Sequence, residues 1–219
     1  MKKTHSFLLA VAYATMAFTF FACSDDDPDG NTGGGMDLSN LPPQELSFDG
    51  ELEGKIDVFL RIWRDDGEYG EYDRYDLLPA GNIQNGKLSL NLPTNIDNKY
   101  LDRTWTCYHG EDDENCRLSV VPQNLTFVYG TLVIAIPGES DDCSIRPSLI
   151  KSGNVTGSAQ PHYHSGSGKV TGTRSEENLN LNISSGWSLI YYYHVGDIEY
   201  WTTELPAGTT LEWRIRCDD

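Results

Sequence analysis

The sequence predicts an all-β protein, an antiparallel β-sandwich or two small β lobes in tandem. Three observations carry that reading. Apolar and polar residues alternate at period two in run after run, no stretch beyond residue 44 sustains helical periodicity with caps, and turn chemistry separates the runs. A strand with one wet face and one buried face leaves this period-two trace.

The elements follow in chain order. Residues 55–64 and 72–78 read as the first strands of the domain. In 87–92, Leu88, Leu90 and Leu92 share a face and Pro93 ends the run, while Asn85-Gly86 before it is hairpin-turn chemistry. Further strands are expected at 100–108, 118–121, 125–129, 131–136 and 169–174. In 178–184, Leu179, Leu181 and Ile183 face one way and Asn178, Asn180 and Asn182 the other. Strands at 187–194 and 198–203 are joined by Val195-Gly196-Asp197, and Pro206-Ala207-Gly208 turns the chain into the last run. There Leu211, Trp213, Ile215 and Cys217 point inward, with Glu212, Arg214 and Arg216 outward. The stretch 137–153, rich in Gly, Ser, Asp and Pro, is the candidate seam between lobes; one continuous unit over 45–219 is the preferred organisation.

Ahead of that domain the composition changes. Met1-Lys2-Lys3 is a positive start, and residues 7–22 are 16 residues without a charge. A bilayer span needs about 20, so 1–22 reads as a cleaved signal peptide. It ends Phe20-Phe21-Ala22-Cys23, which resembles the lipobox of bacterial lipoproteins, with Phe where Leu is commoner at the first position. That resemblance implies cleavage before Cys23 and lipidation of its sulfur. Several acyl chains anchor stably, because each buried methylene contributes about 0.8 kcal/mol and one chain alone is marginal. The following Ser24-Asp25-Asp26-Asp27 resembles the export run of surface lipoproteins in Bacteroidetes bacteria. Asp25-x-Asp27-x-Asp29-Gly30 also looks like half a calcium loop, but the twelfth position is Met36 rather than a bidentate Glu. Residues 23–44 therefore read as a lipidated, acidic tether, with an end-to-end distance of roughly 25 Å for some 20 residues.

Two further segments resemble a recurring unit of uncharacterised Bacteroidetes lipoproteins. One runs from Gly81 through Asn85-Gly86 to Pro93, followed by Tyr100-Leu101. The other comprises Lys169-Val170-Thr171-Gly172, Leu179-Asn180-Leu181, Ser185-Gly186-Trp187, Ile190-Tyr191-Tyr192 and Leu211-Glu212-Trp213. The resemblance covers about a third of the domain and consists of strand and turn chemistry. It implies a secreted β fold of unknown function and transfers no catalytic residue; with the lipobox and the export run, the expected location is the outer membrane, lipid-anchored and surface-exposed.

Charge narrows the partners. The chain has 16 Lys+Arg against 33 Asp+Glu, a net charge of −17. Lys2 and Lys3 lie in the leader with no acidic residue, so the part from Cys23 carries −19. Nucleic-acid binding needs basic patches, as does docking on anionic lipid, and neither partner is expected. The membrane contact would be the lipid alone.

Four cysteines remain beyond Cys23: Cys107, Cys116, Cys143 and Cys217. An even number in an exported chain favours disulfides, with three connectivities open. Cys107 and Cys116 bracket an apparent turn, which favours a local bridge and leaves Cys143 for Cys217. No C-x₂-C spacing suggests zinc.

Several side-chain clusters have plain structural readings. The acidic loops around Glu111–Glu114 and Asp65–Asp73 read as solvated turns, the second interleaved with Tyr69 and Tyr72. His162-x-His164 would place two imidazoles on one strand face, but its Gly- and Ser-rich flanks suggest a loop edge and no third ligand is identifiable. No nucleophile elbow, H-E-x-x-H or phosphate loop occurs, so no enzyme activity, cofactor or metal is expected. The aromatic stretch 187–201 is the strongest signal. Trp187, Leu189, Tyr191 and Tyr193 share one face, with Ile190, Tyr192 and His194 on the other, and Tyr200 and Trp201 follow after the turn. Such a hairpin is core on both faces, or core on one and a platform on the other. Tyr192, His194 and Trp201 are the candidate ligand-binding residues. The expected function is binding of a glycan or protein at the cell surface; the alternative is a structural or assembly subunit of a surface complex.

Overall fold

Fourteen strands and one 3-10 turn make up the secondary structure in a computed structural model, which describes residues 36–48, 52, 54–63, 75–101, 103–107, 114–134 and 143–217. In chain order the strands are β1 (Gln44–Ser47), β2 (Lys55–Trp63), β3 (Tyr75–Gln84), β4 (Lys87–Leu90), β5 (Arg103–Thr104), β6 (Cys116–Val121) and β7 (Thr126–Ile134). They continue as β8 (Cys143–Lys151), β9 (Asn154–His164), β10 (Gly168–Arg174), β11 (Glu177–Ile183), β12 (Gly186–Val195), β13 (Ile198–Thr202) and β14 (Thr210–Arg216). The fold is all-β and dominated by antiparallel pairs; only β1–β14 and β11–β13 run parallel among the described pairings.

Turn chemistry sets the hairpins. Asn85 (φ 53°) and Gly86 (φ 74°) both take the left-handed region between β3 and β4, the geometry that matches strand twist in a two-residue hairpin. Ser152-Gly153 does the same between β8 and β9. Gly172 holds φ 127° inside β10, and a Cβ there would lie 1.9 Å from the Arg117 carbonyl oxygen on β6. Only glycine lets those two backbones approach so closely.

The pairings close on themselves. From β7 they pass through β2, β3, β4, β1, β14 and β8 and back to β7. The first core, including Leu60, Ile62, Leu88, Leu132, Ile145 and Trp213, is buried within these strands. From β9 a second course runs through β12, β13, β11 and β10 to the edge strand β6. It buries a second core of Trp105, Phe127, Val170, Leu179, Leu181, Ile183 and Ile190. Strand β12 is the wall between them: Leu189 and Tyr191 belong to the first core, Ile190 and Tyr192 to the second. The period-two alternation of this strand thus fills two cores.

Both disulfides are present, Cys107–Cys116 and Cys143–Cys217. The first joins the segment after β5 to the start of β6, and the second ties β8 to the residue after β14.

Several sequence expectations are corrected. The strand expected at 100–108 is a 3-10 turn at Asn98–Tyr100 plus the two residues of β5. Asp97 caps that turn, its carboxylate accepting from the Lys99 amide at 3.1 Å, and Tyr100 is buried with its hydroxyl donating to Asp76. The strands expected at 125–129 and 131–136 are one, β7, running through Gly130, where a side chain would collide with Leu60. Strands β1, β8 and β9 lie where the sequence predicts none. The expected tether over 23–44 is corrected in its described part: Leu38 is fully buried in the first core, Asp37 bridges to Ser188 on β12, and Gln44 opens β1, because Met36, Leu38 and Leu41 supply apolar side chains that the domain buries. The 137–153 stretch read as a candidate seam contains β8, which pairs with β14 along its length and with β7 and β9 in turn. His162 and His164 lie on β9 rather than on a loop edge. The signal peptide, Cys23, the Asp25–Asp27 run, and the acidic loops apart from Glu114 lie outside the described residues.

Candidate functional site

The site arises where three strands exchange partners. Strand β7 pairs with β9 as far as Tyr129↔His162 and with β8 from Leu132↔Ile145 onward. Strands β8 and β9 pair with each other only from Ser148↔Ser158. Gly130 and Thr131, Arg146 and Pro147, and Ala159 to Pro161 therefore have no partner across the junction. Pro147 and Pro161 also carry no N–H for a ladder. The sheet opens here into a cleft of about 580 Å³.

The second core supplies its aromatic wall. Trp105 stacks on Phe127 with centroids 4.4 Å apart and planes at 20°. His162 stacks 5.7 Å from Phe127, and His164 follows on the same face of β9, the two imidazoles 5.9 Å apart. Tyr192 and Trp201 are register partners on β12 and β13, meeting edge-to-face at 4.7 Å. Trp105 meets Trp201 edge-on at 6.0 Å.

Polar groups are threaded through these rings. His162 Nε2 and the Tyr192 hydroxyl lie 2.6 Å apart, and that hydroxyl reaches Gln160 Oε1 at 3.5 Å. Arg103 donates from Nη1 to the Tyr129 hydroxyl at 2.9 Å. Arg174 donates from Nε to Glu177 at 2.8 Å and from Nη1 to the Thr106 carbonyl, with its guanidinium 5.2 Å from the Trp201 ring centre. The indole nitrogens of Trp105 and Trp201, Nδ1 of His162 and both ring nitrogens of His164 are buried without a hydrogen-bond partner. A buried polar atom left unpaired is costly, and these five atoms lie together beside the cleft.

Burial fixes the protonation states. It holds the His162 pKa well below the ordinary range, with His164 and Arg103 pushing the same way, and it lowers His164 to about 3. Burial, then the nearby Glu199 carboxylate, raises the Tyr192 phenol. Near neutral pH the cleft thus presents the neutral imidazole of His162 and the protonated phenol of Tyr192, suited to hydrogen bonding.

Of the three residues singled out from the aromatic stretch, Tyr192 and Trp201 both line the cleft. His194 is exposed and lies with Glu176, Glu177, Asp197 and Glu199 around a separate, smaller hollow. The histidine in the cleft is His162. No group of three or more His, Cys, Asp or Glu among the described residues is arranged to hold a metal ion. Trp105, Phe127, Tyr129 and the arginines were missed as site residues, because their meeting depends on β7 and β9 being neighbours. Comparison with known proteins returned no matching family model, no curated relative and no matching solved structure.

Proposed function

We propose that the chain is a lipid-anchored cell-surface binding protein that takes a saccharide in the aromatic cleft. The observation that supports this most is the Tyr192–Trp201 pair, set edge-to-face beside unpartnered indole N–H groups at a cleft of about 580 Å³. Aromatic rings give apolar pyranose faces a surface to pack on, and a few fixed polar groups orient the hydroxyls; pockets of this size and lining suit small ligands. Anchoring through Cys23, with the residues ahead of the packed Met36–Leu38 segment as tether, would place the cleft outside the cell. The test is a glycan array probed with the full-length protein and with Trp201→Ala. Binding to a defined set of glycans, reduced at least tenfold in the variant, is expected. Equal binding by both, or none, would remove the cleft from this role.

A second reading, a subunit of a surface assembly, is favoured by one observation. Strand β6 pairs only with β10 among the described residues, and Val121 at its end is 63% exposed. An unpaired edge accepts a partner's strand.

A further inference from the structure

Resting on the reading of the cleft as a saccharide site, we infer that its ligand carries a carboxylate: an acidic sugar residue, such as a uronic acid, set among neutral ones. The charge distribution carries this. The chain holds twice as many carboxylates as basic residues, yet among the described lining residues Arg103, Arg146 and Arg174 stand against the single carboxylate of Glu199.

The three arginines are not equivalent. Arg174 is held by Glu177 and the Thr106 carbonyl, so its charge is already balanced and it serves to support Trp201. Arg103 is held over Tyr129, whose hydroxyl is a neutral partner. Arg146 is exposed and bonds through Nε to the Ser144 hydroxyl at 3.0 Å. Neither Arg103 nor Arg146 has a carboxylate partner among the described residues. Guanidinium groups held in place by neutral hydroxyls present their remaining N–H donors to an incoming group, and a carboxylate fits that fork with two parallel bonds.

The rest of the molecule limits how much negative charge the ligand brings. With a net charge of −17, the surface repels polyanions. Screening at physiological salt confines each charge to about 8 Å, so a single carboxylate inside the cleft responds mainly to the arginines. A chain of acids extending over the surface would meet repulsion beyond the cleft. Isolated acid residues among neutral sugars satisfy both conditions, and the aromatic wall accounts for the sugar ring.

The test uses the full-length protein and a panel of oligosaccharides each bearing one glucuronic or galacturonic acid, measured before and after carboxyl reduction to the neutral sugar. Acid forms should bind at least tenfold more tightly than their reduced counterparts. Arg146→Gln, at an exposed position, should leave the melting temperature unchanged and bring that ratio close to one, while Arg146→Lys should keep part of it. Equal binding of acid and reduced forms would overturn the inference and leave the saccharide reading standing. Binding by no form of any member, together with an empty neutral array, would overturn both. An acid preference undiminished in Arg146→Gln and in Arg103→Gln would place the carboxylate elsewhere and overturn the inference.

Discussion

Tyr192 and Trp201 sit directly opposite each other on β12 and β13, and their rings meet edge-to-face with centroids 4.7 Å apart. The two-residue turn at Gly196-Asp197 sets this register, since a slip of one residue would send one of the two rings to the opposite face of the sheet. The pair is also where the second core meets the cleft. Its inner edges belong to the second core, and its outer surface lines the cleft.

That dual role makes the pair energetically coupled. Tyr192→Ala and Trp201→Ala should each cost about 1.5–3 kcal/mol, less than a fully buried aromatic because both residues are half-buried. A double-mutant cycle in urea should return a coupling of about 1 kcal/mol, the scale of an aromatic pair beyond its area burial. Strictly additive losses would show that the rings do not interact in solution.

The buried histidines predict a loss of stability in mild acid. In the unfolded chain each takes a proton near its ordinary value of 6.5, whereas folded His164 does so only near 3 and His162 is also depressed. Their contribution is complete above pH 6.5 and declines as pH falls below it, by about 1.4 kcal/mol per pH unit for each histidine. Between pH 7.5 and 5.0 the wild type should therefore lose about 2 kcal/mol more than His164→Leu. Parallel pH profiles of the urea midpoint would mean that His164 titrates normally and is not enclosed.

The two disulfides close loops of 9 and 74 residues. In the chain-entropy account they stabilise by about 2.5 and about 4.5 kcal/mol respectively. Replacing Cys143 and Cys217 together with Ser should lower the denaturation midpoint more than replacing Cys107 and Cys116. The denatured, unreduced protein should show no free thiol from these four. The opposite order of effects would point to residual structure in the unfolded chain.

How much of this could be read beforehand divides by the physics of each element. Strands β11 and β14 are legible because Leu179, Leu181 and Ile183, and Leu211, Trp213 and Ile215, bury one face against one core and leave the other side more exposed; β12, buried on both sides, is legible from its aromatic run and the Gly196-Asp197 turn after it. Strands β8 and β9 were hidden. Each carries a proline, β9 opens with Asn, Val, Thr, Gly and Ser, and β8 buries residues on both sides, so neither alternates cleanly. The cleft was legible only in its β12–β13 half. A hairpin brings Tyr192 to Trp201 through a local turn, but Trp105, Phe127 and His162 come from three separate parts of the chain. Nothing local in sequence encodes that β7 passes from β9 to β8, which is what opens the sheet.

The anchor is tested separately from the fold. Cys23→Ala should abolish acyl labelling and move the protein from the membrane to the soluble fraction, leaving the cleft's ligand binding intact. Membrane recovery unchanged in the variant would mean that something other than lipid on Cys23 holds it there.

The cleft as binding site is tested most directly by the indole N–H resonances of the five tryptophans, followed while a glycan selected on the array is titrated in. Trp105 and Trp201 line the cleft with unpartnered indole nitrogens, whereas Trp187 already donates to the Pro93 carbonyl at 2.8 Å and Trp213 is sealed in the first core. Saturable shifts of the Trp105 and Trp201 signals, with Trp187 and Trp213 unmoved, are the predicted result. Binding that leaves Trp105 and Trp201 unmoved, or that shifts Trp63 alone, would place the ligand elsewhere and contradict the account.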